Sequence, residues 1–310
     1  MSTDTLPSVG PVRFERVFHT DSLTGENDHF GCLLTDAEGR VVRENGSQTW
    51  LYSGSNSAEG WDSRIRQFDL ASHKCGATTR ILYPQTDEQW ATVHLVIQVF
   101  PAVCVAFYST GRDIRAATAI RPTGPFLRCR DFCIESTEPW EDGSLEIDGG
   151  FVPISQKDGV FRAWLLYDNL GKGTSGQNGW AEVEIDRARG DVHLLGKHPG
   201  NPLPLLLPGR LAARTGGNLD GTVRIGGEYP LFYLSKPARR EYRMGVALSP
   251  DPLFQTVSAN VELEGCLGRE TFIEKQQFYM HDGLLNVIYE AGLSKTDIRT
   301  GLRQYRLHEG

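Results

Sequence analysis

The sequence predicts an all-β fold: a five-bladed β-propeller with four-stranded antiparallel blades, closed into a ring by its N-terminal strand. Three observations predict it. A unit of short strands and tight turns recurs five times, and the polar residues that open the units stand 66, 54, 72 and 54 residues apart, the size of a four-stranded blade with its loops. The last unit ends with its third strand at the C-terminus, while a spare strand, VRFERVFH at 12–19, precedes the first unit. Pairing that strand with the last blade accounts for both ends and leaves no open edge.

The unit is clearest at 219–250. Asp220 leads into a strand at 222–225, a GGE turn follows, and then come an aromatic run at 231–234 and a strand at 242–248. Unit one opens at Asp28 and continues through WLYSG at 50–54 and SRIRQFDL at 63–70. Unit two opens at His94, with VAFYS at 105–109 and IRAATAIRP at 114–122. Asp148 opens unit three, ahead of AWLLY at 163–167 and WAEVEIDR at 180–187; Glu274 opens unit five, ahead of LNVIY at 285–289 and IRTGLRQYRL at 298–307. Fourth, outer strands are expected at 77–83, 126–135, 192–197 and 254–264. Sustained helical periodicity is absent, and 34 Gly and 16 Pro suit a chain of many turns.

All 310 residues are expected to form one domain, since propellers often exceed the usual domain size. Net charge is -7, with no Lys/Arg cluster interleaved with aromatics, so nucleic acid is not an expected partner. The start, MSTDTLPSVG, has no basic or apolar leader, and no run approaches 18 apolar residues, so no membrane partner is expected and the localisation expected is cytoplasmic. Six scattered cysteines read as free thiols, because Cys129 and Cys133 would lie about 13 Å apart along a strand. No CxxC or HExxH spacing for a metal appears, and GKGTSGQNG at 171–179 lacks the following GK[ST] of a phosphate loop.

In such a ring the innermost strands line a central channel, so Asp28, His94, Asp148, Asp220 and Glu274 are expected to meet at its mouth. Carboxylates gathered there must separate their pKa values, and one protonated and one ionised carboxyl is what hydrolysis of a glycosidic bond requires. Each opener also has a plainer reading. Asp28, Asp148 and Asp220 stand beside Gly or Asn in turn-like settings, and His94 sits in an apolar strand as a hydrogen-bonded core residue would.

The NDHFG, IDGGF and LDG strand openings, each followed by an LFYLS-like strand, resemble the five-bladed propeller glycoside hydrolases of family 43 and the wider group that holds the β-fructosidases. TAIRPTGPF at 118–126 is similar to that family's ATS-x-x-P-x-GPF segment, and VALSPDPLF at 246–254 echoes it. The resemblance implies an inverting glycoside hydrolase with Asp28 as general base, Asp148 as the carboxylate that adjusts the acid's pKa, and Asp220 as general acid. The family has Glu at the acid position and Asp-Pro at the base, so Asp220 is one methylene short, and Asp21 or Asp36 competes with Asp28 for the base. The family's blade-five His, which helps hold a central cation such as calcium, is replaced by Glu274, and no cofactor is expected.

Arg224, on Asp220's face of the strand, is expected to bind substrate or to form a salt bridge between blades. His94, Glu274 and Trp50 are the other expected substrate contacts, with Trp90, Trp140 and Trp164 as further stacking candidates. The expected partner is a small arabinofuranosyl, xylosyl or related glycoside. The alternative is a repurposed propeller, either a lyase or cyclase acting on a biosynthetic intermediate or a non-catalytic ligand-binding protein.

Overall fold

A computed structural model describes residues 4–24, 27–57, 60–141, 143–169, 177–188, 190–203, 213–215, 223–238, 241–294 and 296–309. These residues form an all-β architecture and include no helix, and hence none long and apolar enough to cross a membrane. Two strands, β1 (Asp4–Val9) and β2 (Val12–Thr20), precede a run of antiparallel meanders. The first is β3 (Asp28–Asp36), β4 (Gln48–Ser57), β5 (Gly60–Asp69) and β6 (Thr79–Leu82). The second is β7 (Thr92–Phe100), β8 (Val103–Ser109), β9 (Ile114–Ala119) and β10 (Leu127–Ile134). Next come β11 (Leu145–Lys157), β12 (Val160–Asn169), β13 (Asn178–Asp186) and β14 (Val192–Lys197), and then β15 (Ala213–Thr215), β16 (Tyr229–Ala238), β17 (Glu241–Ser249) and β18 (Ala259–Gly265). The chain ends with β19 (Phe272–His281), β20 (Leu284–Gly292) and β21 (Ile298–Glu309).

The turns follow local chemistry. Asp158-Gly159 and Asp282-Gly283 have φ of 55° and 79°, and of 49° and 72°, the left-handed pairs that let a two-residue turn follow the strands' twist. The first two meanders join through a parallel pairing of β3 with β7, and β2 pairs antiparallel with β21 along nearly its whole length. The spare N-terminal strand therefore lies beside the last strand of the chain, with β1 added outside it.

Five hydrophobic clusters among the described residues lie between successive meanders. Tyr52 and Val96 share one between the first and second meanders, and Leu145 and Phe107 share another between the second and third. Trp180 and Leu231 lie together between the third and fourth, and Phe232 and Phe278 between the fourth and fifth. Leu51 and Tyr279 occupy the cluster where the fifth meets the first. The strands thus bury both faces, which explains their continuous apolar runs.

One strand differs from expectation. The strand paired with β16 is β15, with Ala213 opposite Ser235 and Thr215 opposite Tyr233, rather than 222–225. Ile225 only bridges Glu228 across Gly226-Gly227, whose φ values of 60° and 85° make a tight local turn that holds it away from the ladder. All six cysteines are free; Cys32 and Cys104 are buried and the other four half-buried.

Candidate active site

The first strands of four meanders begin around a cavity of about 290 Å³. His29 reaches it from β3, Thr92 and His94 from β7, and Glu146 from β11. Glu274 and Lys275 come from β19, and Glu290 from β20. Trp61 and Trp90, joined by a single backbone bridge, form an aromatic wall. Two neighbours on β19 reach the same cavity because the ladder with β20 slips between Glu274 and Gln277, and Lys275 takes a left-handed φ of 53°. Such a bulge breaks the strand's alternation and re-aims a side chain.

Electrostatics divides the site. Lys275 Nζ lies 2.6 Å from Glu146 Oε1. Burial works against ionisation of Glu146, but the Lys275 ammonium, aided by His94, outweighs it and holds the carboxyl well below the usual range. His94 Nε2 stands 3.3 Å from the same oxygen, an ion-pair distance without hydrogen-bond alignment, and neither of its ring nitrogens has a hydrogen-bond partner. Burial, then Lys275, pushes His94 below its ordinary value, so the ring is neutral at pH 7. His29 Nδ1 is 2.9 Å from Glu290 Oε2, and its ring stands perpendicular to Trp61 at 4.0 Å between centroids.

Of the expected site residues, His94 and Glu274 line this cavity. Asp28 does not. It is 4% exposed and ion-paired with Arg66 of β5, while its neighbour His29 takes the cavity side. The reason is strand alternation: a shift of one residue reverses the face. Thr300 Oγ1 donates to the Asp28 carbonyl at 3.2 Å, which ties this point of β3 to β21.

Asp148 lies on β11, but its side chain is outside the described residues, and Asp220 is wholly outside them. Trp50 is away from the cavity, donating from Nε1 to Glu44 at 2.6 Å; Trp140 packs on Tyr167 and Trp164 on His198. Only Trp90 of the four stacking candidates is on the wall. Arg224 is exposed and stacks over Tyr229 at 3.6 Å. Of the alternative bases, Asp21 pairs with Arg269 and Asp36 with Arg40, both away from the cavity.

Sequence reasoning missed His29, Trp61, Glu146, Lys275 and Glu290. Glu146 was within reach, two residues before Asp148, a spacing that shares a face in a regular strand. Lys275 and Glu290 depend on the bulge. Among the described residues no group of three His, Cys, Asp or Glu is arranged to hold a metal ion, and the Lys275 ammonium neutralises Glu146.

No protein-family model and no curated protein matches the sequence. Solved structures do match in fold. One is a BT0996 RGII complex, at 14% identity and a TM-score of 0.62, covering 91% of this chain and 89% of the other. An endo-arabinase from Bacteroides thetaiotaomicron matches at 16% and 0.51, covering 90% and 94%. Bacillus subtilis levansucrase matches at 8% and 0.53, covering 92% and 86%. The chain shares its fold with these propeller structures, and the resemblance read from the strand openings holds at that level.

Proposed function

We propose that the chain is a glycosidase-like enzyme whose single domain is a five-bladed propeller. In this reading the meanders are blades, and β2 closes the ring by completing the last blade on β21. Support comes from the five interfacial clusters, which run in cyclic order from the first meander through the fifth and back to the first.

The observation that carries the function is the cavity at the strand starts, where an ionised Glu146 shares a tryptophan-walled space with Glu274 and Glu290. Carboxylates beside an aromatic wall suit a sugar ring and its hydroxyls. The substrate proposed is a small arabinofuranosyl, xylosyl or related glycoside, cleaved with inversion. By the resemblance, Asp28 serves as base, Asp148 as the acid's modulator and Asp220 as acid; strand position and aromatic stacking add His94, Glu274, Arg224 and Trp50 as the substrate contacts proposed. Of these four, His94 and Glu274 have the cavity behind them.

The test is a panel of nitrophenyl glycosides with wild type and Asp220→Asn. Hydrolysis that collapses in the variant supports the reading. Failure of wild type on every member moves the assignment to the second reading, a lyase or cyclase or a ligand-binding protein. That second reading is favoured by one observation, the closure of Asp28 against Arg66.

A further inference from the structure

We propose that His29, oriented by Glu290, is the proton-accepting group of the cavity; this rests on the glycosidase reading and puts His29 in the role that the resemblance gives to Asp28. A general base must reach the cavity, hold a free lone pair and be fixed in direction. Asp28 fails the first in the described structure, being buried, engaged by Arg66 and outside the cavity lining. His29 is a lining residue of the cavity, is held in direction by Glu290 and Trp61, and keeps one ring nitrogen without a hydrogen-bond partner among the described residues.

Its ring is anchored at one nitrogen only. The Glu290 carboxylate can only accept, so Nδ1 carries the proton and Nε2 is left with the lone pair. Nε2 is buried and has no hydrogen-bond partner among the described residues, and the residue lines the cavity. Trp61 stands edge-on against the ring and limits its rotation. Glu290 is itself 5% exposed and is paired in register with Glu274 across the β19–β20 ladder.

The groups facing His29 favour a proton arriving there. Glu290 of β20 and Glu274 of β19 are acidic, Glu146 of β11 is ionised but neutralised by Lys275, and His94 of β7 is neutral. On its own strand, Asp28 is neutralised by Arg66 of β5. An imidazolium formed at His29 therefore lies against a carboxylate that pairs with no Lys or Arg among the described residues, in the geometry by which a carboxylate stabilises a catalytic imidazolium.

In the step this implies, a water oxygen bonds to the anomeric carbon while Nε2 takes one of its protons. The bond from that carbon to the leaving oxygen breaks, and the leaving oxygen takes a proton from the general acid. His29 then returns its proton to solvent and the acid regains one, so no other reactant is consumed.

The experiment compares His29→Gln, His29→Gly and Asp28→Asn on 4-nitrophenyl α-L-arabinofuranoside and β-D-xyloside. Expected is a loss in kcat of about 10²-fold or more for both His29 variants with KM changed little, and recovery of His29→Gly by added imidazole. His29→Gln within about threefold of wild type, with Asp28→Asn inactive, overturns the proposal and leaves the glycosidase reading standing. If wild type cleaves neither glycoside, that reading falls, and ¹⁵N NMR of the His29 ring decides the dyad separately. A proton on Nδ1 that shifts to Nε2 in Glu290→Gln supports it, and a proton already on Nε2 in wild type refutes it.

Discussion

Replacing Lys275 by Met tests the electrostatics of Glu146, because the substitution keeps the aliphatic bulk of the side chain and removes the ammonium beside the carboxylate. In the folded protein the Glu146 carboxyl lies below its ordinary range: burial alone would raise it, and Lys275 at 2.6 Å overturns that. A depressed carboxyl contributes stability above its unfolded pKa of about 4.3 and loses it as pH falls below that value. Without the ammonium the sign reverses. Burial is then opposed only by the neighbouring His94 ring, the carboxyl rises, and at pH 7 the variant carries a buried charge without its ammonium, which costs about 3–5 kcal/mol. Urea unfolding at pH 7 and at pH 4.5 measures both limbs. The gap between Lys275→Met and wild type should be widest at pH 7 and should narrow at pH 4.5, where the variant's Glu146 has taken up a proton. A gap below about 1 kcal/mol at both pH values, the size of an exposed pair, would refute the reasoning.

Three further outcomes are expected. Arg303 is fully buried between Glu264 at 3.2 Å and Glu270 at 2.6 Å, with the Tyr289 ring 4.8 Å from its guanidinium, so Arg303→Met should lose about 3–5 kcal/mol in denaturant titration. Deleting residues 1–20 removes β1 and β2, their Arg16–Glu264 and His19–Glu270 pairs and the cover on β21; light scattering and thermal scans should record aggregation or a much lower Tm. Gly31→Ala would drive a Cβ into the Val93 carbonyl oxygen and to 2.9 Å from that of Tyr52, where backbone cannot move aside, and should lower stability by about 1–3 kcal/mol in urea titration.

Much of the fold was legible because strands and turns are local chemistry. The Asp-Gly turns at 158–159 and 282–283 mark hairpins, the outer strand expected at 192–197 is observed over those residues, and the spare strand at 12–19 pairs where the chain ends. The site was legible only to within a residue. His94 and Glu274 line the cavity, but His29 lines it in place of Asp28 because neighbouring strand residues point to opposite faces. Counted from the Asp282-Gly283 turn, a regular hairpin sets Ala291 opposite Glu274; the bulge sets Glu290 there instead, and no pattern in the sequence marks that slip.

The sequence by itself determined the all-β class and the order of most strands, since turn residues and apolar runs act over a few neighbours. Only the tertiary structure decided which openings face the cavity, that Arg66 closes off Asp28, and that Lys275 fixes the charge of Glu146. Those outcomes depend on bulges and on pairs more than 35 residues apart in the chain, and such pairs form only once the meanders have packed against one another.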